Sequence, residues 1–246
     1  MVRLINKLKG NNMNKLAVAV LAMSVLGGVG VASAAAGDST FSVGYAQIHS
    51  KGLKKEVNAT RDAVNAVSDA VYTFAGPLPA DVFSADAGKY KEPEGLNVKY
   101  RYEFDDRWGV IGSFTWARSK TSAYIQLDDP DSNTFANASG SAKGNYFSIM
   151  AGPSLRANDY FSTYVMAGAT FARVKYSGNL SYDLSAYGLG SGSESASDSH
   201  NKSSFAYSAG IQLNPIKNIA IDLAYEGSGS GDWKTNGFIM GIGYKF

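Results

Sequence analysis

The last ten residues of the chain, 237–246, alternate large apolar side chains with small or polar ones and end on an aromatic residue. Successive side chains of a β-strand point to opposite faces, so the apolar residues share one face. These residues are Phe238, Met240, Ile242, Tyr244 and Phe246. Such a strand suits a wall between lipid and a polar lumen. The pattern predicts a transmembrane β-strand at the end of the chain.

The first 36 residues have the features of a secretory signal peptide. Four basic residues precede an uncharged run from Leu16 to Val31, and small residues follow at 32–36. The run is shorter than the roughly 20 apolar residues that a spanning helix needs. We predict a cleaved signal peptide at 1–36 and a single domain at 37–246. Cleavage after Ala34 or Ala36, and a start at Met1 or Met13, remain open.

The charge of the predicted mature chain argues against a nucleic-acid partner. Residues 1–36 hold four of the 23 basic residues and none of the 21 acidic ones, so removing them changes the net charge from +2 to −2. No excess of Lys and Arg is left to neutralise a phosphate backbone. Cysteine is absent, which excludes disulfides and thiol chemistry. The chain has no recognisable metal or cofactor motif, and we predict neither.

Alternating segments recur along the mature chain, and their connections are alternately short and long. The eight predicted strands lie near residues 40–49, 95–104, 108–119, 144–156, 160–176, 204–213, 219–226 and 237–246. Three connections are tight turns, at 105–107, 157–159 and 214–218, whereas 51–94, 120–143 and 177–203 are long and polar. An even strand number places both termini and the tight turns on the periplasmic side. The sequence predicts an all-β, eight-stranded antiparallel transmembrane up-and-down barrel with long extracellular loops.

Polar side chains lie opposite the apolar face of several predicted strands. We expect six of them in the interior: Lys99, Arg101, Glu103, Gln212, Asp222 and Glu226. The lumen of an eight-stranded barrel has just enough room for side chains, so these groups would fill it without leaving a channel. A soluble antiparallel sheet with one wet face is the alternative. The lipid-facing aromatic residues are interpreted as an apolar band and interfacial girdle; they are Tyr100, Tyr102, Trp108, Trp116, Tyr225, Tyr244 and Phe246.

Several of these segments resemble the Ail/Lom (OmpX) family of small outer-membrane proteins of Gram-negative bacteria. The matching stretches are 41–47, 95–103, 108–115, 151–154, 214–215, 224–226 and 241–246. They touch nearly every predicted strand in the right order. The resemblance implies an outer-membrane barrel whose last residues, Tyr244 and Phe246, serve as an assembly signal. It also implies roles in host attachment, invasion or complement resistance that are carried by extracellular loops, with host matrix or complement proteins as partners.

The first long connection contains a helical pattern. Apolar residues recur at near-helical spacing within 54–75, and Gly76-Pro77 would end the helix. They are Val57, Val64, Val67, Val71 and Phe74. Two interpretations stay open: a partner-binding helix above the membrane, or a loop that packs on itself or is partly disordered.

The second and third long connections are acidic and rich in small residues, which indicates solvated, flexible loops. Basic residues at the rim, Lys51, Lys54 and Lys55, are candidates for contact with lipopolysaccharide. We expect the barrel to be monomeric.

Two other functions compete with attachment. A structural or envelope-stress barrel without a dedicated ligand needs the same strands, so the sequence does not separate it from an adhesin. A lipid-modifying enzyme would need a nucleophile and a base within hydrogen-bond reach. The histidines, His49 and His200, each lie beside a serine, but triads are recognised by geometry and not by adjacency. We therefore predict that the protein is not an enzyme.

Overall fold

The computed structural model describes residues 37–246. The predicted signal peptide, residues 1–36, lies outside the described residues, together with Ala34 and Ala36 at its two candidate cleavage sites. The described chain contains nine strands, one long α-helix and two short 3-10 helices at Ser185–Tyr187 and Gly231–Trp233. The strands are β1 (Ser39–Ser50), β2 (Phe83–Ala87), β3 (Glu94–Glu103), β4 (Trp108–Asp129), β5 (Thr134–Asn158), β6 (Phe161–Asp183), β7 (Ser191–Ile216), β8 (Ile219–Ser228) and β9 (Thr235–Lys245). The helix, α1, spans Lys51–Ala75.

Eight of the strands close into a ring. Each pairs antiparallel with its neighbours in the order β1-β3-β4-β5-β6-β7-β8-β9, and β9 pairs back with β1. At the closing seam Phe41 lies opposite Tyr244 and Tyr45 opposite Met240. The predicted eight-stranded antiparallel barrel is thus confirmed. Closure leaves the ring without a free edge.

Among residues 37–246, no helix is long and apolar enough to cross a membrane.

The two faces of each ring strand differ as the alternation predicts. On β3, Asn97, Lys99 and Arg101 are buried, whereas Leu96 is 57 % exposed. On β9, Ile239 is fully buried between Phe238 and Met240, which are both exposed. The exposed outer face is apolar and the buried inner face is largely polar. This inverts the pattern of a water-soluble protein and fits a barrel surrounded by lipid.

Both ends of the described chain and the three tight turns lie at one end of the barrel. Ser39 and Phe246 exchange two backbone hydrogen bonds of 2.8 Å. Beside them, the Lys245 N–H donates to the carbonyl of Asn218 in the β7–β8 turn. The remaining turns at this end join β3 to β4 and β5 to β6, as predicted. We call this the inner end and the opposite one the outer end.

At the outer end four strands continue well past the ring. The connections 120–143 and 177–203 were expected to be flexible loops, and this prediction is wrong, because both form paired strands. β4 pairs with β5 as far as Asp129 and Thr134, and β6 pairs with β7 as far as Asp183 and Ser191. Short turns close both hairpins. Small polar residues have weak strand propensity, but context can override it, and here each segment forms a long ladder with a neighbouring strand. We define the protruding sheet as β2 together with residues 118–129, 134–145, 172–183 and 191–203.

The first long connection forms α1 and β2. The helix covers the predicted segment and ends where Gly76 adopts a positive φ of 72°. β2 then pairs with β4 at Phe83–Ala87, so it covers one edge of the protruding sheet. Leu53, Val57 and Val64 are the buried residues of α1. Tyr72 packs edge-on against Phe83 with ring centroids 5.6 Å apart. The helix is therefore fixed to the outer end by its apolar side chains.

Candidate functional site

The protruding sheet ends on the five-residue strand β2 at one side and on β7 at the other, and the edge along β7 is long and open. β8 begins to pair with β7 only at Ala206, opposite Ser228, so residues 191–203 of β7 are paired on one side alone, by β6. This edge is 13 residues long, or about 40 Å at the rise of an extended strand. It contains no proline, and nearly all its residues are exposed. Natural proteins usually protect such edges, because unpaired N–H and C=O groups can pair with another chain.

A group of basic side chains lies on the outward face of the same sheet. We define the basic belt as Arg118, Lys120, Lys143, Arg173 and Lys175, all exposed. The register places Lys120 opposite Lys143, and Lys143 opposite Lys175. Asn145 lies between Arg118 and Arg173 in the neighbouring row. β4, β5 and β6 place no acidic residue in either row, but the exposed Glu94 of β3 lies opposite Arg118. The other four cations have no acidic neighbour in these rows.

The basic belt lies directly beyond an aromatic row. Trp116 pairs with Phe147, and Phe147 with Phe171, one outward position before Arg118 and Arg173. The Arg118 guanidinium lies over the Trp116 ring, 5.3 Å from its centroid. Aromatic girdles mark the interface between the hydrocarbon core and the head groups. We therefore expect the basic belt to lie at head-group level. The basic belt was not predicted, because residues 120–143 were expected to form a loop. The alternation of Trp116, Arg118 and Lys120 nevertheless continues the strand.

The six predicted interior residues are all buried, with at most 3 % of each exposed. In the middle of the barrel, Lys99 forms an ion pair with Asp222. The Tyr164 hydroxyl donates to the Asp222 carboxylate at 2.9 Å, and the Lys99 ammonium lies 5.4 Å from the centre of the Tyr164 ring. The two charges are thus paired within the barrel interior. Buried charges are normally paired in this way, because an isolated charge is costly to remove from water.

Two further groups flank this pair. Toward the outer end, Glu226 accepts hydrogen bonds from Tyr146 and from Thr115, the latter at 3.2 Å. Toward the inner end, Arg101 pairs with Glu103 and donates to Gln212 at 3.1 Å. Arg156 also donates to Glu103, at 3.0 Å. The tyrosines and Arg156 were not predicted, because the alternation of β5 and β6 is less regular and their facing could not be assigned.

The five apolar residues of α1 that were considered for partner binding differ in their exposure. Val57 and Val64 are buried against the rest of the protein, so a partner could reach them only if α1 separated from the surface that covers them. Val71 is half-buried, whereas Val67 is 42 % and Phe74 91 % exposed. The stripe is mainly an internal packing face. Only its C-terminal part is accessible.

The rim lysines Lys51, Lys54 and Lys55 lie in the first turns of α1 and not on the barrel wall. All three are exposed, and Lys55 lies 3.6 Å from a carboxylate oxygen of Asp232. The basic belt, and not these lysines, follows the aromatic row.

The two histidines have carboxylate partners. His49 Nδ1 lies 2.8 Å from Glu92 Oε1, and His200 Nε2 lies 3.2 Å from Asp198 Oδ2. Within the described residues neither imidazole forms a hydrogen bond with a serine. Tyr90 packs edge-on against His49 and accepts the Ser50 N–H at 2.8 Å. Burial raises the pKa of Tyr90 above its ordinary value. The arrangement pins the loop before β3 to the end of β1.

The two C-terminal aromatic residues lie on the outer surface at the inner end. Tyr244 and Phe246 are 55 % and 63 % exposed, and their rings stack with centroids 6.3 Å apart. The backbone of Phe246 continues the seam through its two hydrogen bonds with Ser39. Both rings are therefore accessible from the lipid side.

Comparison with known proteins shows similarity along most of the chain. The family model described as Enterobacterial Ail/Lom protein matches residues 75–246. Outer membrane protein lom of Escherichia phage lambda is 37 % identical over 236 residues, covering 94 % of this chain and 98 % of that protein. The attachment invasion locus protein of Yersinia enterocolitica is 34 % identical over 230 residues, covering 92 % and 98 %.

A solved structure supports the same assignment. The crystal structure of Ail, the attachment invasion locus protein of Yersinia pestis, aligns with a TM-score of 0.52 at 31 % identity, covering 86 % of this chain and 99 % of that one. The family model begins at the last residue of α1, so most of the helix lies outside the matched range.

Proposed function

Because the chain belongs to the Enterobacterial Ail/Lom family and lies in the outer membrane, we propose that it attaches the bacterium to host cells or host proteins. The open edge of the protruding sheet is the observation that carries this proposal. The short inner turns and the long outer extensions orient this edge away from the cell. Complement resistance would use the same exposed surface.

The proposed mode of attachment is addition of a strand. An extended segment of a host protein pairs with residues 191–203 through main-chain hydrogen bonds, and alternate side chains set the specificity. The outward residues Ser191, Ser193, Ser195, Ser197 and Ser199 are small, so they do not obstruct an incoming strand. The strand is held from behind by its ladder with β6, so the edge is preformed.

The test uses bacteria that display the protein at matched surface levels. Ser195→Lys with Ser197→Lys places two bulky charges on the open edge, which is how natural edges are protected. We expect binding of host cells and of a panel of matrix and complement proteins to fall to near background. The control, Ser139→Lys with Ser181→Lys, makes the same charge change on the same face of the central strands β5 and β6.

If both variants bind as well as the unmodified protein, the open edge is not the attachment site. If the unmodified protein itself binds nothing above background, the structural barrel without a dedicated ligand replaces the adhesin.

A second proposal concerns the partner in the membrane. We propose that the basic belt binds the phosphate groups of lipopolysaccharide in the outer leaflet. Five cations in two adjacent rows, just beyond an aromatic girdle, suit an anionic head-group layer. The ring completes all its strand pairings within one chain, which supports a monomer.

We further propose that the protein is not an enzyme. His49 and His200 are each paired with a carboxylate and have no serine partner within residues 37–246. Replacing both histidines with alanine is expected to leave the lipid composition of the membrane unchanged. A change in acyl-chain content that depends on either histidine would instead establish a lipid-modifying activity.

A further inference from the structure

A cavity of about 310 Å³ opens at the outer mouth of the barrel. Three elements enclose it: the first turns of α1, the inward face of β6 and β7, and the β8–β9 connection around Asp232 and Trp233. The Lys51 N–H donates to the Lys234 carbonyl at 3.2 Å, which ties the helix to that connection. A Cβ atom at Gly52 would collide with the Asp232 backbone oxygen, so the close approach of these two walls requires glycine. The cavity is thus held open by fixed elements.

Three aromatic and two aliphatic side chains line the cavity. Tyr176 and His200 meet edge to face, with ring centroids 6.4 Å apart, and Trp233 is the third aromatic residue of the lining. Leu53, only 4 % exposed, and Val174 are the aliphatic residues. Aromatic faces carry negative electrostatic potential and attract cations.

The charged groups of the cavity have an acidic excess. Glu56 and Asp232 both line it, and Lys55 is the cation that lies among them. Glu56 has no ion-pair partner among residues 37–246. Two effects raise the pKa of Tyr176 in the cavity lining: burial is the larger, and the negative charge of Glu56 is the second. Lys55 lies 3.6 Å from Asp232, with both side chains more than half exposed, so this pair is weak and exchangeable.

We propose that this cavity binds the guanidinium group of an arginine side chain from a protein outside the cell. A guanidinium stacks on aromatic rings while it donates to carboxylates, and it is less strongly hydrated than an ammonium. Trp233 and Tyr176 supply the rings, and Glu56 supplies a free carboxylate. The cavity volume accommodates one such side chain. The proposal deepens the proposed attachment function and rests on it for the source of the arginine.

The test measures binding of a free arginine probe, so that it does not depend on attachment. N-acetyl-L-arginine amide is titrated into the protein in lipid nanodiscs, and the indole N–H resonance of Trp233 is followed by NMR. N-acetyl-L-citrulline amide, which has a similar shape without the charge, is titrated in parallel. We expect a saturable shift with arginine and none with citrulline. Glu56→Gln should weaken the affinity by up to about fivefold, the range of an exposed charge pair.

Asp62→Asn is the matched control, because it removes one carboxylate from an exposed position of the same helix that does not line the cavity. It should leave the affinity unchanged. Equal shifts with arginine and citrulline would overturn the proposal, as would unchanged affinity in Glu56→Gln. Saturation by methyl glucoside but not by the arginine probe would assign the cavity to a saccharide instead. If the protein binds the arginine probe but no host cell or host protein, the proposed attachment function is wrong and the proposed cavity site stands.

Discussion

Lys99 and Asp222 form an ion pair in the centre of the barrel although 123 positions separate them in the sequence. Each is at most 2 % exposed, and Tyr164 donates to the same carboxylate. A buried charge is tolerated only with a partner, so this pair ties β3 to β8 across the lumen.

Lys99→Met should destabilise the barrel by about 3–5 kcal/mol, because it leaves the Asp222 carboxylate buried and unpaired. Urea unfolding of the protein refolded in detergent micelles measures the change. The double variant, Lys99→Met with Asp222→Leu, should recover part of the loss, since it removes the orphaned charge. A single variant as stable as the unmodified protein would contradict the role of the pair.

Removing three charges of the basic belt should weaken lipopolysaccharide binding. Lys120→Gln, Lys143→Gln and Lys175→Gln together should lower the affinity by about two orders of magnitude, at roughly 1 kcal/mol per cation near an anionic surface. The measurement is the rise in unfolding temperature that lipopolysaccharide causes in nanodiscs, because a ligand of the folded state stabilises it.

The control for the basic belt removes the same charge from α1, by Lys51→Gln, Lys54→Gln and Lys55→Gln. Its response to lipopolysaccharide should match that of the unmodified protein. The opposite pattern, with the response lost in the α1 variant and kept in the belt variant, would return the lipid site to the rim lysines.

The β4–β5 turn should loosen in acid. Asp129 accepts hydrogen bonds from the Ser132 hydroxyl at 2.6 Å and from the Asp131 N–H at 3.2 Å. The Ser132 hydroxyl is the main cause that lowers the pKa of Asp129 below its ordinary 3.8. A lowered pKa in the folded state stabilises the turn above pH 3.8, and this contribution is lost as the pH falls through the lowered value.

Amide exchange across residues 131–133, corrected for its intrinsic pH dependence, should therefore accelerate below about pH 3.8. Asp129→Ala should show the faster exchange already at neutral pH, because it removes the acceptor. Exchange that responds to pH identically in both proteins would show that Asp129 does not hold the turn.

Deleting Phe246 should reduce insertion into the outer membrane, as expected if the terminal aromatic is an assembly signal. Surface labelling of whole cells measures the inserted protein. Phe104→Ala is the control, since Phe104 is another exposed aromatic next to a turn at the inner end. Normal surface levels of the protein without Phe246 would refute the signal.

Much of the barrel could be predicted because its signal is local. Side chains alternate with a period of two, so residues 95–104 separate into an apolar and a polar face without any knowledge of neighbours. The same pattern placed Lys99 and Asp222 on polar faces. It could not pair them, because their meeting depends on the stagger of the strands in the closed ring.

The alternation of apolar and polar side chains does not predict the whole of the protruding sheet. Residues 191–203 face water on both sides, so no apolar alternation is imposed on them, and their small polar residues indicated a loop. The ladder with β6 makes them a strand. The basic belt is equally non-local: Lys120, Lys143 and Lys175 come from three strands, and only the register aligns them.

The sequence by itself determined that this chain forms a lipid-facing antiparallel barrel, because burial of alternate side chains acts within each strand. The tertiary structure decided which charges pair in the lumen, how far the strands extend beyond it, and which edge stays open. These features depend on strand register and ring closure, which involve residues far apart in the chain.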